Sequence, residues 1–266
     1  FGGYNRYLMA NRAWKSMEKA PLMLRKYFSK GITSISPKTW SGIINGASVV
    51  LPTSLKITHP GDKMYKLADM LSSRSIDDVY DGLVSHWQNP FEIVIGCTSQ
   101  IDENNESIKT LDFNSPESKM MYLDSITYLP DDILTKVDRA SMGVSLETRA
   151  PFLNHNVVEY AWQLPFDMKI RNNEGKWILR KVLDKYVPRK LIERPKMGFG
   201  VPIDAWLRGP LRDWAESLLS ESRLRQEGFF HPGPIRKIWN EHLSGHRNWQ
   251  YHLWSVLMFQ AWLEDQ

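Results

Sequence analysis

The chain has 266 residues, 42% of them hydrophobic and 24% charged, with a formal net charge of +4. That balance allows a sizeable buried core and excludes wholesale disorder. No apolar run approaches the ~20 residues of a membrane-spanning helix, the N-terminus lacks the basic-then-apolar build of a secretory signal, and the single cysteine, Cys97, excludes an internal disulfide or a cysteine-rich zinc site. A cytoplasmic protein is expected. The opening Phe1-Gly2-Gly3-Tyr4 has no lead-in to cover it and reads as the start of a piece cut from a longer protein.

Helical punctuation dominates along the chain. Ser36-Pro37 places proline at a first helical position behind a capping serine, and mixed apolar and charged periodicity predicts helices near 60 to 72 and 75 to 88. Phe91 to Gly96 reads as a short strand and Asp102 to Ser115 as a polar surface loop. Ser115-Pro116-Glu117 opens a helix of about three turns carrying Met120, Met121, Leu123 and Ile126, which halts before Pro130. A second helix runs from Pro130 to about Val144. Its Ile133, Val137, Ala140 and Val144 form an apolar stripe expected to face the core, while Asp132, Lys136 and Arg139 share a polar face. Helices are expected near 155 to 163, 176 to 186, 210 to 219, 234 to 244 and 249 to 264, with a turn or hairpin over Met168 to Trp177 around Asn172-Asn173-Glu174-Gly175. The expected class is mainly α, in one domain, with no internal repeat.

Charge is concentrated between Lys169 and Lys196, where ten Lys or Arg face three acids. Such a surplus attracts polyanions, although on composition alone a solvated helix face with snorkelling lysines is the more ordinary use of it. The string Arg194-Pro195-Lys196-Met197-Gly198-Phe199-Gly200 is different, because proline before a lysine and glycines after it can fix the ammonium in space, as a triphosphate requires. Upstream, Asp132 and Lys136 suit a helix-surface pair, and Asp131 and Asp132 suit the positive end of a helix rather than a metal. Glu147 and Arg149 lie two apart in an extended segment before Pro151 and Phe152, a placement that fits either a substrate clamp or a structural buried pair. His242 and His246 have a metal-ligand spacing with no acidic cluster nearby and read as surface residues. The C-terminal Trp239, Trp249, Tyr251, Trp254, Phe259 and Trp262 read as helix packing, the stripe Tyr251, Trp254, Met258 and Trp262 in particular. Cys97 reads as a small hydrophobe.

Together the strings Glu147-Thr-Arg-Ala-Pro-Phe-Leu153, Lys136-x-Asp138-Arg139-x-Ser141-Met142, Lys176-Trp-x-Leu-Arg180 and Arg194-x-Lys196-x-x-Phe199, with Phe1-Gly2-Gly3-Tyr4, resemble the synthetase domain of the glutamine-dependent asparagine synthetase family, in its order and over essentially the whole chain. The resemblance implies the helical C-terminal part of an α/β, adenine-nucleotide alpha-hydrolase-like (ATP-pyrophosphatase) domain. It implies that ATP, with Mg2+, adenylates a carboxylate such as aspartate, and that ammonia from glutamine then displaces AMP. Lys196 would act on the phosphates, Glu147, Arg149 and Lys136 would lie near the substrate, and Gly2 and Gly3 near the nucleotide. Asp138 and Arg139 fit structural support better than substrate contact.

The family's Ser-Gly-Gly-x-Asp-Ser loop, the acidic segment before its Phe-Gly-Gly-Tyr and its glutaminase half are not in the sequence, so the chain alone is expected to be catalytically incomplete. The resemblance leaves room for a homodimer and gives no reason for a membrane or nucleic-acid partner. Two rivals stay open: a relative that amidates another carboxylate or closes a β-lactam ring, and a non-catalytic helical module using the Lys169 to Lys196 surface.

Overall fold

A computed structural model describes residues 1–47, 60–87, 89–97, 111–193 and 200–266. In chain order the helices are α1 (Asn5–Met17), α2 (Leu22–Thr33), α3 (Pro37–Ala47), α4 (Pro60–Leu71), α5 (Ile76–Val84), α6 (Pro116–Ile126) and α7 (Thr135–Met142). They continue with α8 (His155–Gln163), α9 (Phe166–Lys169), α10 (Trp177–Leu183), α11 (Arg189–Ile192), α12 (Ile203–Arg208), α13 (Arg212–Leu218), α14 (Glu221–Glu227), α15 (Pro232–Leu243) and α16 (Gln250–Glu264). The fold is mainly α. Its one sheet among the described residues is the expected hairpin, β1 (Ile170–Arg171) against β2 (Glu174–Gly175), antiparallel with Ile170 opposite Gly175.

The capping residues act as their chemistry dictates. Ser115 Oγ accepts the Ser118 N–H at 3.1 Å, and Ser75 accepts the Asp78 N–H at 3.1 Å while the Asp78 carboxylate returns to the Ser75 N–H at 3.3 Å, a complete capping box. α6 ends at Ile126, before Pro130 as expected, but the next helix does not begin directly as an α-helix. The chain passes through a π-helical turn, Leu129–Leu134, with Pro130 in its first turn where no N–H is needed.

The expected strand at Phe91 to Gly96 is absent. Pro90–Glu92 is a 3-10 turn and Val94 makes an isolated antiparallel bridge to Phe230, flanked by Ile95 N–H to Phe229 O at 2.9 Å and His231 N–H to Ile93 O at 2.8 Å. A proline-nucleated turn leaves too few residues extended for a ladder. The polar stretch from Asp102 falls, up to residue 110, outside the described residues.

The chain divides into two compact units, one holding Phe1–Ser16 with the described residues of 109–197, the other the described residues of 17–108 and 198–266. The second contains the main core, in which Leu207, Leu218, Leu219, Leu224, Ile235, Trp239, Leu253 and Leu257 are buried. Here two sequence expectations fail. The core face of α16 is Leu253, Val256, Leu257 and Gln260, whereas Tyr251, Met258 and Trp262 of the expected stripe are exposed, at 49%, 39% and 55%. Aliphatic side chains and Trp239 fill the closed centre and Trp254 packs against it, while Tyr251 and Trp262 are left at its rim.

His242 is also no surface residue. It is fully buried beside Trp239. Its Nδ1 accepts the Trp249 N–H at 3.2 Å, and its Nε2 lies 3.7 Å from Asp204 Oδ1. Burial, then the Arg208 charge, pushes the imidazole down to about 4. His246 is exposed, as expected.

Candidate active site

The first unit carries four of the five family-like strings, and the Arg194–Phe199 string lies outside the described residues. α1 is fastened to α6 by buried carboxylates: Tyr7 donates its hydroxyl to Asp124, Arg6 Nε donates to the same carboxylate at 3.2 Å, and Asn11 donates to Glu117. The Arg6 guanidinium also lies 4.5 Å over the Tyr4 ring and 4.6 Å over that of Tyr128. Burial, then the neighbouring Tyr128, raises the Tyr4 hydroxyl above its ordinary value.

Ahead of α1, the Phe1–Gly3 segment threads between two other strings. The Phe1 carbonyl accepts the Lys176 N–H at 3.0 Å, and the Phe1 ring meets Phe152 edge-on at 5.9 Å. Gly2 has φ +61°, and a Cβ there would lie 2.5 Å from Ile170 Cγ1. A Cβ on Gly3 would overlap Lys176 Cε, and one on Gly175 would overlap the Gly2 carbonyl oxygen. These glycines permit backbone-on-hairpin packing that any side chain would block.

The hairpin itself is made by Asn172 and Asn173, both left-handed at φ 50° and 62°, as a two-residue turn requires. Lys176 follows with φ 58°, a conformation that costs a non-glycine residue about 1 kcal/mol, and its ammonium lies 3.3 Å from the position of a Gly3 Cβ. Sequence reasoning placed Lys176 in a motif without assigning it to the site. The only local signal was the Asn-Asn-Glu-Gly turn that precedes it.

α7 ends in a cap that sequence analysis missed. Leu146 N–H reaches back to Ser141 O at 2.9 Å and Ser145 N–H to Met142 O at 2.9 Å, with Ser145 left-handed at φ 58°. This turn launches the extended segment bearing Glu147 and Arg149. They pair at 2.9 Å, but Arg149 is 84% and Glu147 71% exposed, so the buried-pair reading is wrong. Lys136 makes the expected helix-surface pair with Asp132 at 3.4 Å, also exposed. The apolar stripe on this helix is not a core face, since Val137 is 41% and Val144 76% exposed. Within the unit α1 and α6 carry the buried side chains Tyr7, Ala10, Glu117, Met120, Met121 and Asp124, whereas in α7 Ser141 alone is buried.

Between Lys169 and Glu193 all three acids are taken up. Glu174 pairs with Arg180 at 3.2 Å, while Asp184 and Glu193 hold Arg189 at 3.1 and 3.7 Å. Lys169 is buried, donating to Trp162 O at 3.2 Å over the Trp162 ring, and burial lowers it from its ordinary value. Arg171, Lys176, Lys181, Lys185 and Lys190 remain exposed, with Arg171 and Lys181 flanking the Trp177 ring at 4.9 and 5.7 Å. The structure thus brings Gly2, Gly3, Lys176 and the Phe152 end of the Glu147 string together. Lys196 lies outside the described residues. Among the described residues no group of three His, Cys, Asp or Glu could hold a metal ion. Cys97 is half-buried.

The mainly helical chain in which the glycine segment, the cationic turn and Phe152 converge in this way matches the asparagine synthase family model over residues 1–264. The chain belongs to the asparagine synthase family. It is 33% identical over 145 residues to the glutamine-hydrolyzing asparagine synthetase 1 of Bacillus subtilis, a match covering 54% of this chain and 23% of that protein. It is 36% identical over 148 residues to a putative glutamine-hydrolyzing asparagine synthetase of Mycobacterium tuberculosis, covering 55% and 22%. It is also similar to the amidase chry2 of Gibberella zeae, at 28% identity over 121 residues, 43% of this chain and 18% of that one. The matches therefore span about a quarter of these relatives or less. No solved structure matches the chain significantly.

Proposed function

We propose that the chain supplies the helical half of a site where ATP activates a carboxylate, aspartate first among candidates, for amidation. Support comes from the convergence of Phe1–Gly3, the 170–176 hairpin turn and Phe152, because three strings far apart in sequence meet beside the exposed Arg171 and Lys176. In this reading a carboxylate oxygen attacks the α-phosphorus and pyrophosphate leaves. Ammonia, drawn from glutamine by a separate glutaminase, then attacks the acyl carbon and AMP leaves.

Lys196 stabilises charge on the phosphates, and Glu147, Arg149 and Lys136, all exposed, receive the carboxylate substrate. Gly2 and Gly3 line the nucleotide side, and their packing against the hairpin gives them a structural role as well. Residues 1–266 act as one domain, as the family match across both units favours. The cytoplasm is the proposed compartment, and no described helix is long and apolar enough to cross a membrane.

Carboxylate-dependent exchange of labelled pyrophosphate into ATP, measured on the complete gene product, tests this reading. Exchange with aspartate is expected, with loss of at least about a hundredfold in Lys196→Ala at an unchanged thermal midpoint. No exchange with any carboxylate would refute it, and exchange with another acid alone would replace aspartate.

A further inference from the structure

α2 is built inside out. Its buried residues are Arg25 and Ser29, while Met23 is 88%, Tyr27 75%, Phe28 57% and Leu24 48% exposed. Soluble helices ordinarily do the reverse, and a contiguous exposed apolar face is a mark of interaction.

The inversion has a cause on the inner side. Arg25 donates to Ala20 O at 3.1 Å, to Ser73 O at 2.7 Å and to Leu71 O at 3.3 Å, so its guanidinium satisfies carbonyls left open where α4 ends. Ser72 donates to Ser29 Oγ at 3.1 Å, and Tyr65 donates to Thr33 O at 3.0 Å. With Arg25 and Ser29 held inward, 100° steps carry Met23 and Tyr27 to the outer face, Leu24 and Phe28 to one flank and Lys26 and Lys30 to the other.

Charge narrows the occupant. Lys19, Lys26, Lys30 and Lys38 are all exposed, and no Asp or Glu occurs between Lys19 and Gly61. A second copy docking through the same face would bring these cations against one another, which disfavours a symmetric dimer. An anionic surface suits them. Aromatic and Met side chains on the outer face of one helix, with flexible lysine stems along its edge, form the composition that settles at a lipid headgroup layer. α2 has 12 residues, too few to span, so it would lie along the surface.

We propose that α2 docks on an anionic phospholipid bilayer, with Met23, Leu24, Tyr27 and Phe28 entering the headgroup region and Lys26 and Lys30 meeting the lipid phosphates. This departs from the sequence expectation of no membrane partner, and it stands apart from the proposed chemistry.

Flotation of the purified protein with vesicles tests it, using phosphatidylcholine alone and phosphatidylcholine mixed with phosphatidylglycerol. Binding is expected only to the anionic vesicles and is expected to weaken with added salt. Tyr27→Ser with Phe28→Ser, and separately Lys26→Gln with Lys30→Gln, should each reduce the partition coefficient about tenfold or more. Circular dichroism should stay unchanged, because all four side chains are exposed. No flotation at low salt, equal flotation with neutral vesicles, or flotation indifferent to both variants would overturn the proposal. A dimer abolished by Tyr27→Ser with Phe28→Ser, without vesicle binding, would overturn it in favour of a second copy.

Discussion

His242 makes the second unit acid-sensitive in a way that can be isolated. The Trp249 N–H already points at Nδ1, so the neutral ring carries its proton on Nε2; protonating Nδ1 would set two donors against each other in a fully buried position. The imidazole stands at about 4 against 6.5 when unfolded. Because the folded value is the lower one, the unfolded chain binds the extra proton between these values. Stability is therefore complete above pH 6.5 and falls as the pH drops towards 4. The gap corresponds to about 3 kcal/mol, lost at up to about 1.4 kcal/mol per pH unit. His252 is pushed down to about 4 as well, by burial and then by Arg247, and doubles the proton uptake. Urea unfolding followed by tryptophan fluorescence from pH 4.5 to 7.5 measures the slope. His242→Asn keeps an acceptor for the Trp249 N–H and cannot titrate. It should cost about 1–2 kcal/mol at pH 7 through the lost ring volume, and flatten the slope by about one proton near pH 5. A slope identical to wild type would refute the assignment.

Four further substitutions probe the packing. Gly2→Ala, at φ +61° and against Ile170, should destabilise the first unit by about 2–4 kcal/mol, read by urea midpoint; an unchanged midpoint would mean that the segment is not packed on the hairpin. Ser145→Gly should stabilise by about 0.5–1 kcal/mol, since glycine relieves the left-handed cap, and a lower thermal midpoint would contradict that cap. Leu257→Ala, at a fully buried position, should cost about 2–5 kcal/mol in the second unit, whereas Trp262→Ala on the same helix should cost under about 1.5 kcal/mol; equal losses would deny the observed core face of α16.

The sequence by itself determined what depends on near neighbours along the chain. Ser115 and Ser75 cap helices because a hydroxyl three residues upstream reaches a free N–H, and Asn172-Asn173 turns the hairpin because both residues tolerate φ above zero. The family-like strings around Lys136, Glu147, Lys176 and Lys196 are likewise a matter of order and spacing. Only the tertiary structure decided burial and partnership, because those depend on which surfaces meet. Periodicity marks an apolar side of α7 and α16 but says nothing of what lies opposite, so Val137 is exposed and Trp262 lies at a rim. His242 is buried for the same reason: its fate rests on Trp249 and Asp204, brought to it by the fold. α2 shows the point most plainly, since the open carbonyls at the end of α4 draw Arg25 inward, and that single long-range demand turns Met23 and Tyr27 out to solvent.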